Sequence, residues 1–384
     1  MINHARMLLV RGWSVALAGL RETELPADLA MHPRVTVLAV TVELTANRGT
    51  RRRARWALLR LIARQRPEAW SLVVVQNPPA FPVLMALAWA AHRCHGRGMG
   101  LRPRVIVDWH NLGHTLLTHA GKSRVTVAVY RWFERRWTRR ADAHWAVSSA
   151  MATHVRDWLG VAAVTVLPDQ PPAWLCRAAQ VSDDRQAWWQ RVLPTVAPPA
   201  ADAVWLVMPS SWTVDENTDL LHEAVKIIAE ANEQTGWPEG ARRIAVIATG
   251  RGPGLADFLA KFPGDGHVSV HAVWLTAADY AALLGHADAG LCLHTSSSGL
   301  DLPMKLADMR GAGLPALVYD YGAVLRETFI PGTHGLLFKS ARELAECLVR
   351  LAGEPSLRRV TMTGPTWEEN WARADEALRQ LFDR

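Results

Sequence analysis

Short apolar runs alternate with longer stretches of helical spacing along most of the chain. Runs at 14–20, 35–40, 72–75, 105–111, 145–148, 163–167, 204–208, 243–248, 268–274, 289–293, 315–319 and 335–338 read as strands. Most are apolar nearly throughout rather than at every second position, which is the pattern of strands covered on both faces. Between them, 4–12, 50–66, 81–92, 125–140 and 218–231 carry helical spacing, and a further helix opens at Pro303 and stops at Gly311 and Gly313. Strands and helices in alternation predict an α/β protein with parallel sheets. The pattern is lost over 173–200, where 192–200 is rich in proline. At 384 residues two domains are expected rather than one. The boundaries predicted are 1–190, a linker at 191–202, 203–364, and a last helix within 365–384.

The stretch from Thr295 to Pro315 carries the clearest chemistry. A buried strand leads into Ser296, Ser297, Ser298 and Gly299, and that loop feeds the helix opening at Pro303. Loop N–H groups and a helix N-terminus together favour a phosphate or diphosphate. Lys305 and Asp308 share one helical face, so a cation for phosphate and a carboxylate for ribose hydroxyls stand side by side. On spacing alone a capped strand–helix turn with a solvated ion pair is as good a reading.

The run Ser298-Gly-Leu-Asp-Leu-Pro-Met-Lys305 closely resembles the eukaryotic β-1,4-mannosyltransferase family that adds the first mannose to chitobiosyl-diphospho-dolichol. The resemblance implies the GT-B fold, two facing Rossmann-like domains with a cleft between them, and inverting transfer of mannose from GDP-mannose. Pro303-x-Lys-x-x-Asp308 is similar to the Pro-Asn-Lys-x-x-Glu element of many GT-B enzymes, whose acid holds the nucleotide ribose; here that acid is one methylene shorter. Pro209-Ser-Ser-Trp-Thr-Val-Asp-Glu-Asn217 and Thr249-Gly-Arg-Gly-Pro-Gly254 resemble two further family loops. The donor site implied is thus Ser210, Ser211, Arg251, Ser298, Gly299, Leu300, Lys305 and Asp308.

The first half carries the other anchors. Gln76-Asn-Pro-Pro79 matches the end of a family strand, and Asp108-Trp-His-Asn111 is very close to a family motif. Both fall at strand carboxyl ends, where open α/β sheets gather ligands. An inverting transferase needs a base for the acceptor hydroxyl, and His110 or Asp108 can serve. Capping of the next helix by Asp108 and Asn111 is the alternative. Asn111 and Glu134 are the acceptor-side candidates, Glu134 standing where many GT-B enzymes have an acid; a solvated glutamate among arginines fits equally. In the resembling family a strand and a glycine-containing loop precede the first helix, and neither stands before residue 4. The first N-terminal strand is therefore expected either upstream of this start or missing. The former is favoured, because a lost parallel strand bares the backbone edges of two neighbours.

Charge changes the picture in one respect. The net +7 divides into +15 for residues 1–200, with 27 Lys and Arg against 12 Asp and Glu, and −8 for the remainder. The basic half is built to meet something anionic. No nucleic-acid signature accompanies it, so an anionic membrane surface or a lipid-linked acceptor is the expected partner. The 50–66 stretch sets Trp56, Leu59, Ile62 and Ala63 among arginines, as a helix lying on a bilayer or one packed on a sheet would. No apolar run approaches the roughly 20 residues that span a bilayer, so the expectation is a cytoplasmic protein peripheral at the membrane face. The chain has no Cys-x-x-Cys pair and no Asp-x-Asp pair, and neither a metal nor a cofactor is expected beside the donor substrate. Two other readings stand: a GT-B transferase for another nucleotide sugar, and a non-catalytic relative that binds one.

Overall fold

A computed structural model of the chain describes residues 1–21, 24–42, 48–65, 70–95, 103–213, 215–262, 266–358 and 364–383. It divides into two compact units, Met1–Pro168 with Asn370–Arg384, and Asp169–Glu369.

In the first unit the strands are β1 (Val15–Arg21), β2 (Val35–Thr41), β3 (Leu72–Asn77), β4 (Arg104–Trp109), β5 (Ala143–Ala146) and β6 (Thr165–Val166). Two parallel sheets result, β1–β2 and β3–β4–β5–β6. From Ile106 to Trp109, β4 is buried without a break, as parallel strands covered by helices should be. No residue of β1 is fully buried. Helices Arg48–Arg64 and Ala80–His95 pack on β1, β2 and β3 and against each other, and Arg124–Thr138 packs beside the second of them. Local chemistry sets the ends: Ser148 caps the Ser149–Leu159 helix by accepting from Met151 N–H, and Gly160 closes it in the left-handed conformation.

The C-terminal segment belongs to this unit. Trp371 is fully buried, its ring edge-on to His4 at 5.0 Å and to Trp145 at 5.6 Å. Asn370 Nδ2 donates to Pro168 O at 2.8 Å, and Asp375 pairs with Arg11 of the first helix, Ile2–Val10.

In the second unit, β7 (Val204–Pro209), β8 (Ile244–Thr249), β9 (Val268–Val273), β10 (Ala289–Cys292), β11 (Ala316–Tyr319) and β12 (Gly335–Phe338) form one parallel sheet. Its order is β12-β11-β10-β7-β8-β9, the doubly wound arrangement with its switch point between β7 and β10. Every residue of β7 and β8 is buried. The segment from 169 to 202 is built into this unit and does not hang as a spacer. Trp189 packs edge-on to Trp205 at 5.4 Å and donates Nε1–H to Val196 O at 2.9 Å, while Val192 and Leu193 pack on the same core. Proline richness reports backbone stiffness; the buried indoles decide where the segment goes.

Trp371→Ala removes a buried indole between His4 and Trp145 and is expected to destabilise the first unit by about 3–5 kcal/mol. Hydrogen exchange should speed up in β4 and β5 and leave β7 and β8 protected. Loss of protection in the second unit alone would contradict the assignment of residues 370–384.

Candidate active site

The first unit gathers its polar groups at the carboxyl ends of β3 and β4. Asp108, next to last in β4, is buried, and its Oδ2 lies 2.9 Å from His110 Nε2 and 2.9 Å from His4 Nε2. Burial raises the carboxyl pKa, but the two histidines outweigh it through charge and hydrogen bonds and hold Asp108 well below the usual carboxylate range. An ionised Asp108 accepts from both rings. Nε2 of His110 therefore carries a hydrogen. His110 is the more open of the two rings, with 16 % of its side chain exposed against 4 % for His4. The stacking of His4 on Trp145, centroids 5.3 Å apart, holds that ring in place.

Glu134 is fully enclosed rather than solvated. Its Oε1 accepts from Gly113 N–H at 2.7 Å and Asn77 Nδ2 at 3.0 Å, and its Oε2 lies 2.7 Å from His114 Nδ1. It thus closes the N-terminus of the Gly113–His119 helix, where backbone N–H groups have no partner within the helix. Gly113 permits the approach, because a Cβ there would stand 2.6 Å from the Tyr130 ring and 2.8 Å from Glu134. Asn77 ties the group together: its side chain also donates to Asn111 O at 2.8 Å, and its carbonyl accepts from His110 N–H at 3.1 Å. Asn111 turns its own Oδ1 onto Leu112 N–H at 2.7 Å. Asp108 makes no helix cap; its carboxylate faces the two imidazoles.

The second unit places its candidates in the loops after β7, β8 and β10, around the switch point. Ser210 Oγ accepts from Trp212 N–H at 3.0 Å, and Ser211 Oγ lies 2.9 Å from Thr213 Oγ1. Trp212 is buried with φ of 55°, a left-handed conformation uncommon for an indole residue. The loop after β8 lies directly on this one: a Cβ at Gly250 would meet Ser210 O at 2.0 Å, and one at Gly252 would meet Ser211 O at 2.1 Å. Only glycine allows backbone to approach backbone that closely. Arg251 stands between those glycines, its guanidinium 4.4 Å from the centre of the Trp274 ring.

After β10 the serine loop is organised on Asp301. His294 Nε2 lies 2.9 Å from Asp301 Oδ2; Ser298 Oγ donates to Oδ1 at 3.1 Å, and Ser296 does the same. Burial raises this carboxyl pKa, yet the hydrogen bonds from His294 and Ser296 win and hold it low. Gly299 N–H donates to Ser296 Oγ at 2.7 Å and Leu300 N–H to Ser298 Oγ at 3.2 Å, so these two loop amides are held by the loop's own hydroxyls. Lys305 and Asp308 do not pair. Lys305 pairs with Glu216, and burial brings its amine down to about 8, the negative Asp215 opposing. Asp308 accepts from Tyr280 Oη at 3.4 Å, and burial pushes its carboxyl up to about 7 against that bond. Asp215 does not cap the Asp219–Thr235 helix, which has no side-chain cap; its carbonyl accepts from Thr295 N–H at 2.7 Å.

Sequence reasoning passed over His4, Asn77, His114, Glu216, Tyr280, His294 and Asp301. Asn77, Glu216 and Asp301 lie inside the motifs described above, so position was a signal there. The others are joined to the site only by the fold. Among the described residues no group of three His, Cys, Asp or Glu side chains is arranged to hold a metal ion.

Two α/β units with parallel sheets and polar loops at their strand ends are the architecture of a glycosyltransferase of the GT-B class. Residues 3–170 match the glycosyl transferase 4-like domain and residues 224–374 the glycosyl transferase-like family. The sucrose-phosphate synthase of Thermosynechococcus elongatus shares the fold with a TM-score of 0.68 over 100 % of this chain and 92 % of that one, at 14 % identity. Within the class, the chain belongs to the chitobiosyldiphosphodolichol β-mannosyltransferase family. It is 33 % identical to the Eremothecium gossypii member over 98 % of this chain and 82 % of that protein. The UDP-glycosyltransferase TURAN of Arabidopsis thaliana is 35 % identical over 73 % of this chain and 68 % of its own length.

The raised pKa of Asp308 has a signed consequence. Between about pH 4 and pH 7 the folded chain holds a proton there that an unfolded aspartate has lost, so stability falls as pH rises through that window. Asp308→Asn should abolish the fall. Because Asp308 is partly open to solvent, the expected gain over wild type at pH 8 is on the order of 1–2 kcal/mol, with none below pH 4. Urea unfolding at the two pH values measures it; equal stability at pH 8 speaks against a raised carboxyl.

Proposed function

We propose that this protein transfers mannose from GDP-mannose, with inversion, onto a lipid-diphosphate-linked sugar and forms a β-mannosidic bond. The observation that carries this reading is the 33 % identity, over 98 % of the chain, to a protein named as a chitobiosyldiphosphodolichol β-mannosyltransferase. The geometry at the strand ends supports the roles.

His110 is the base. Asp108 holds its Nε2–H, and Nδ1 takes the proton from the acceptor hydroxyl as the oxygen attacks the anomeric carbon. Attack from the face opposite the leaving GDP inverts the configuration. Asp108 orients the ring and stabilises the imidazolium that forms, with His4 fixing the carboxylate from the other side. Asn111 meets the acceptor, and Glu134 acts through His114, Asn77 and the helix it closes.

The second unit takes the donor. Arg251 and Lys305 neutralise the diphosphate as it departs, and Ser210, Ser211, Ser298, Gly299 and Leu300 lie along it, their hydroxyls and amides exchanging loop bonds for phosphate oxygens. Asp308 accepts from the ribose hydroxyls. The protein works at the cytoplasmic face of a membrane, held there peripherally, as the +15 charge of residues 1–200 favours. Among the described residues no helix is long and apolar enough to cross a membrane.

Incubation with GDP-mannose and a chitobiosyl-diphosphate lipid should yield a β-linked mannose by NMR; no transfer, or an α linkage, sinks the proposal. His110→Ala should lower kcat by roughly 10²–10⁴ and leave GDP affinity intact. Asp108→Asn should cost less if the carboxylate only orients. A His110→Ala variant with near wild-type turnover places the base elsewhere. The Arabidopsis relative, named a UDP-glycosyltransferase, favours a second reading, a UDP-sugar donor. UDP-sugars offered in place of GDP-mannose decide between the two.

A further inference from the structure

We propose that three helices of the first unit form a docking face for an anionic lipid bilayer, with Trp56, Trp89 and Trp132 as interfacial anchors and a basic cavity beside the last helix seating a lipid phosphate. The inference rests on the membrane reading above and assigns it a surface.

Helices Arg48–Arg64, Ala80–His95 and Arg124–Thr138 pack side by side as one layer. The inner side is accounted for. Ala54, Ile62 and Ala63 of the first helix are buried, Leu84 and Leu87 of the second, and Phe81 stacks on Phe133 at 4.9 Å and meets Tyr130 at 5.7 Å. Large apolar groups of these helices stay exposed: Trp56 at 54 %, Met85 at 38 %, Trp89 at 54 %, Val125 at 74 %, Val129 at 51 % and Trp132 at 60 %. Val125, Val129 and Trp132 fall four and then three residues apart, so they form one stripe. Sequence alone set Trp56 on one stripe with Leu59, Ile62 and Ala63, for a bilayer or for the sheet; the structure buries Ile62 and Ala63 and leaves Trp56 exposed beside the exposed Arg52, Arg53 and Arg55.

Among the described residues, the exposed charge of these three helices has one sign. The three helices contain 12 arginines and a single acid, Glu134, which is buried. An open cavity of about 610 Å³ adjoins the stripe, lined by Lys122, Arg124, Arg131, Arg135, Trp132 and Trp158 among others. Cations around a pocket suit phosphate. Exposed valines and methionine have no use for a polyphosphate, but they suit the acyl boundary of a bilayer. Indoles prefer the headgroup level between the two. Among the described residues of the three helices no carboxylate is exposed to pair with a protein partner's basic groups, so an anionic bilayer is the occupant the chemistry favours.

The test is co-sedimentation of the full chain with vesicles of equal parts phosphatidylglycerol and phosphatidylcholine, against phosphatidylcholine alone. Binding to the mixed vesicles that weakens with salt is expected. Arg131→Gln with Arg135→Gln should weaken it about fivefold per arginine and flatten the salt dependence. Trp56→Ser with Trp132→Ser should weaken it at every salt concentration. Melting curves establish that the variants are folded. Binding that is absent, or indifferent to both pairs of substitutions, overturns the proposal; so does a short RNA duplex bound as tightly and lost in the same variants. Failure here is separable from failure of the transferase reading: wild-type turnover on an acceptor in detergent tests the latter without vesicles.

Discussion

A buried carboxylate is tolerated only with partners, and Asp108 has two imidazoles. Its neighbours come from three places far apart in sequence: His4 in the first helix, His110 just beyond β4, and Trp371 against His4. The strand end, the first helix and the returning C-terminal segment therefore share one electrostatic requirement. Were Asp108 left without its partners, a negative charge would sit in the core beside Trp109 and Trp145. The ionised state that keeps the core consistent is also the state that orients an imidazole at the strand end.

The same device recurs at two other places where loops leave strands. Glu134 gathers Asn77, Gly113 and His114 around the carboxyl ends of β3 and β4. Asp301 gathers His294, Ser296 and Ser298 after β10. A loop bounded by glycine and proline has little apolar surface of its own, so an enclosed carboxylate with several donors is what gives it one conformation. Those loops sit where a parallel sheet leaves its strand ends open, and that coincidence makes them a site rather than a surface. Close backbone approach does the corresponding work between the loops after β7 and β8, through Gly250 and Gly252.

The two units carry different electrical tasks. The basic half presents arginine and tryptophan together on an outer helical layer, and the acidic remainder keeps its cations few and placed, Lys305 on Glu216 and Arg251 on Trp274. A cation already paired or stacked can exchange that partner for a phosphate without first being ordered, because its side chain has already lost much of its rotamer freedom.

By itself the sequence determined the alternation of strands and helices, the parallel character of the sheets and the three motifs at strand ends. Each of these rests on local signals: unbroken apolar runs, a glycine or proline at a boundary, a polar residue just past a strand. It also determined the family, through the run from Ser298 to Lys305. Only the tertiary structure decided what that local grammar cannot carry. Proline-rich 192–200 read as a linker, but Trp189 and Trp205 draw that segment into the second core. Lys305 and Asp308 read as neighbours on one helical turn, but Glu216 and Tyr280, 89 and 28 residues away in the chain, take them apart. Trp56 shared a stripe with Ile62 and Ala63 that suited a bilayer or a sheet, and only those two are buried, while Glu134 read as solvated or acceptor-facing and is enclosed. The partner of a charge or an indole is set by what the fold brings within a few ångströms, and spacing along the chain records that only when the partner lies on the same helix or strand.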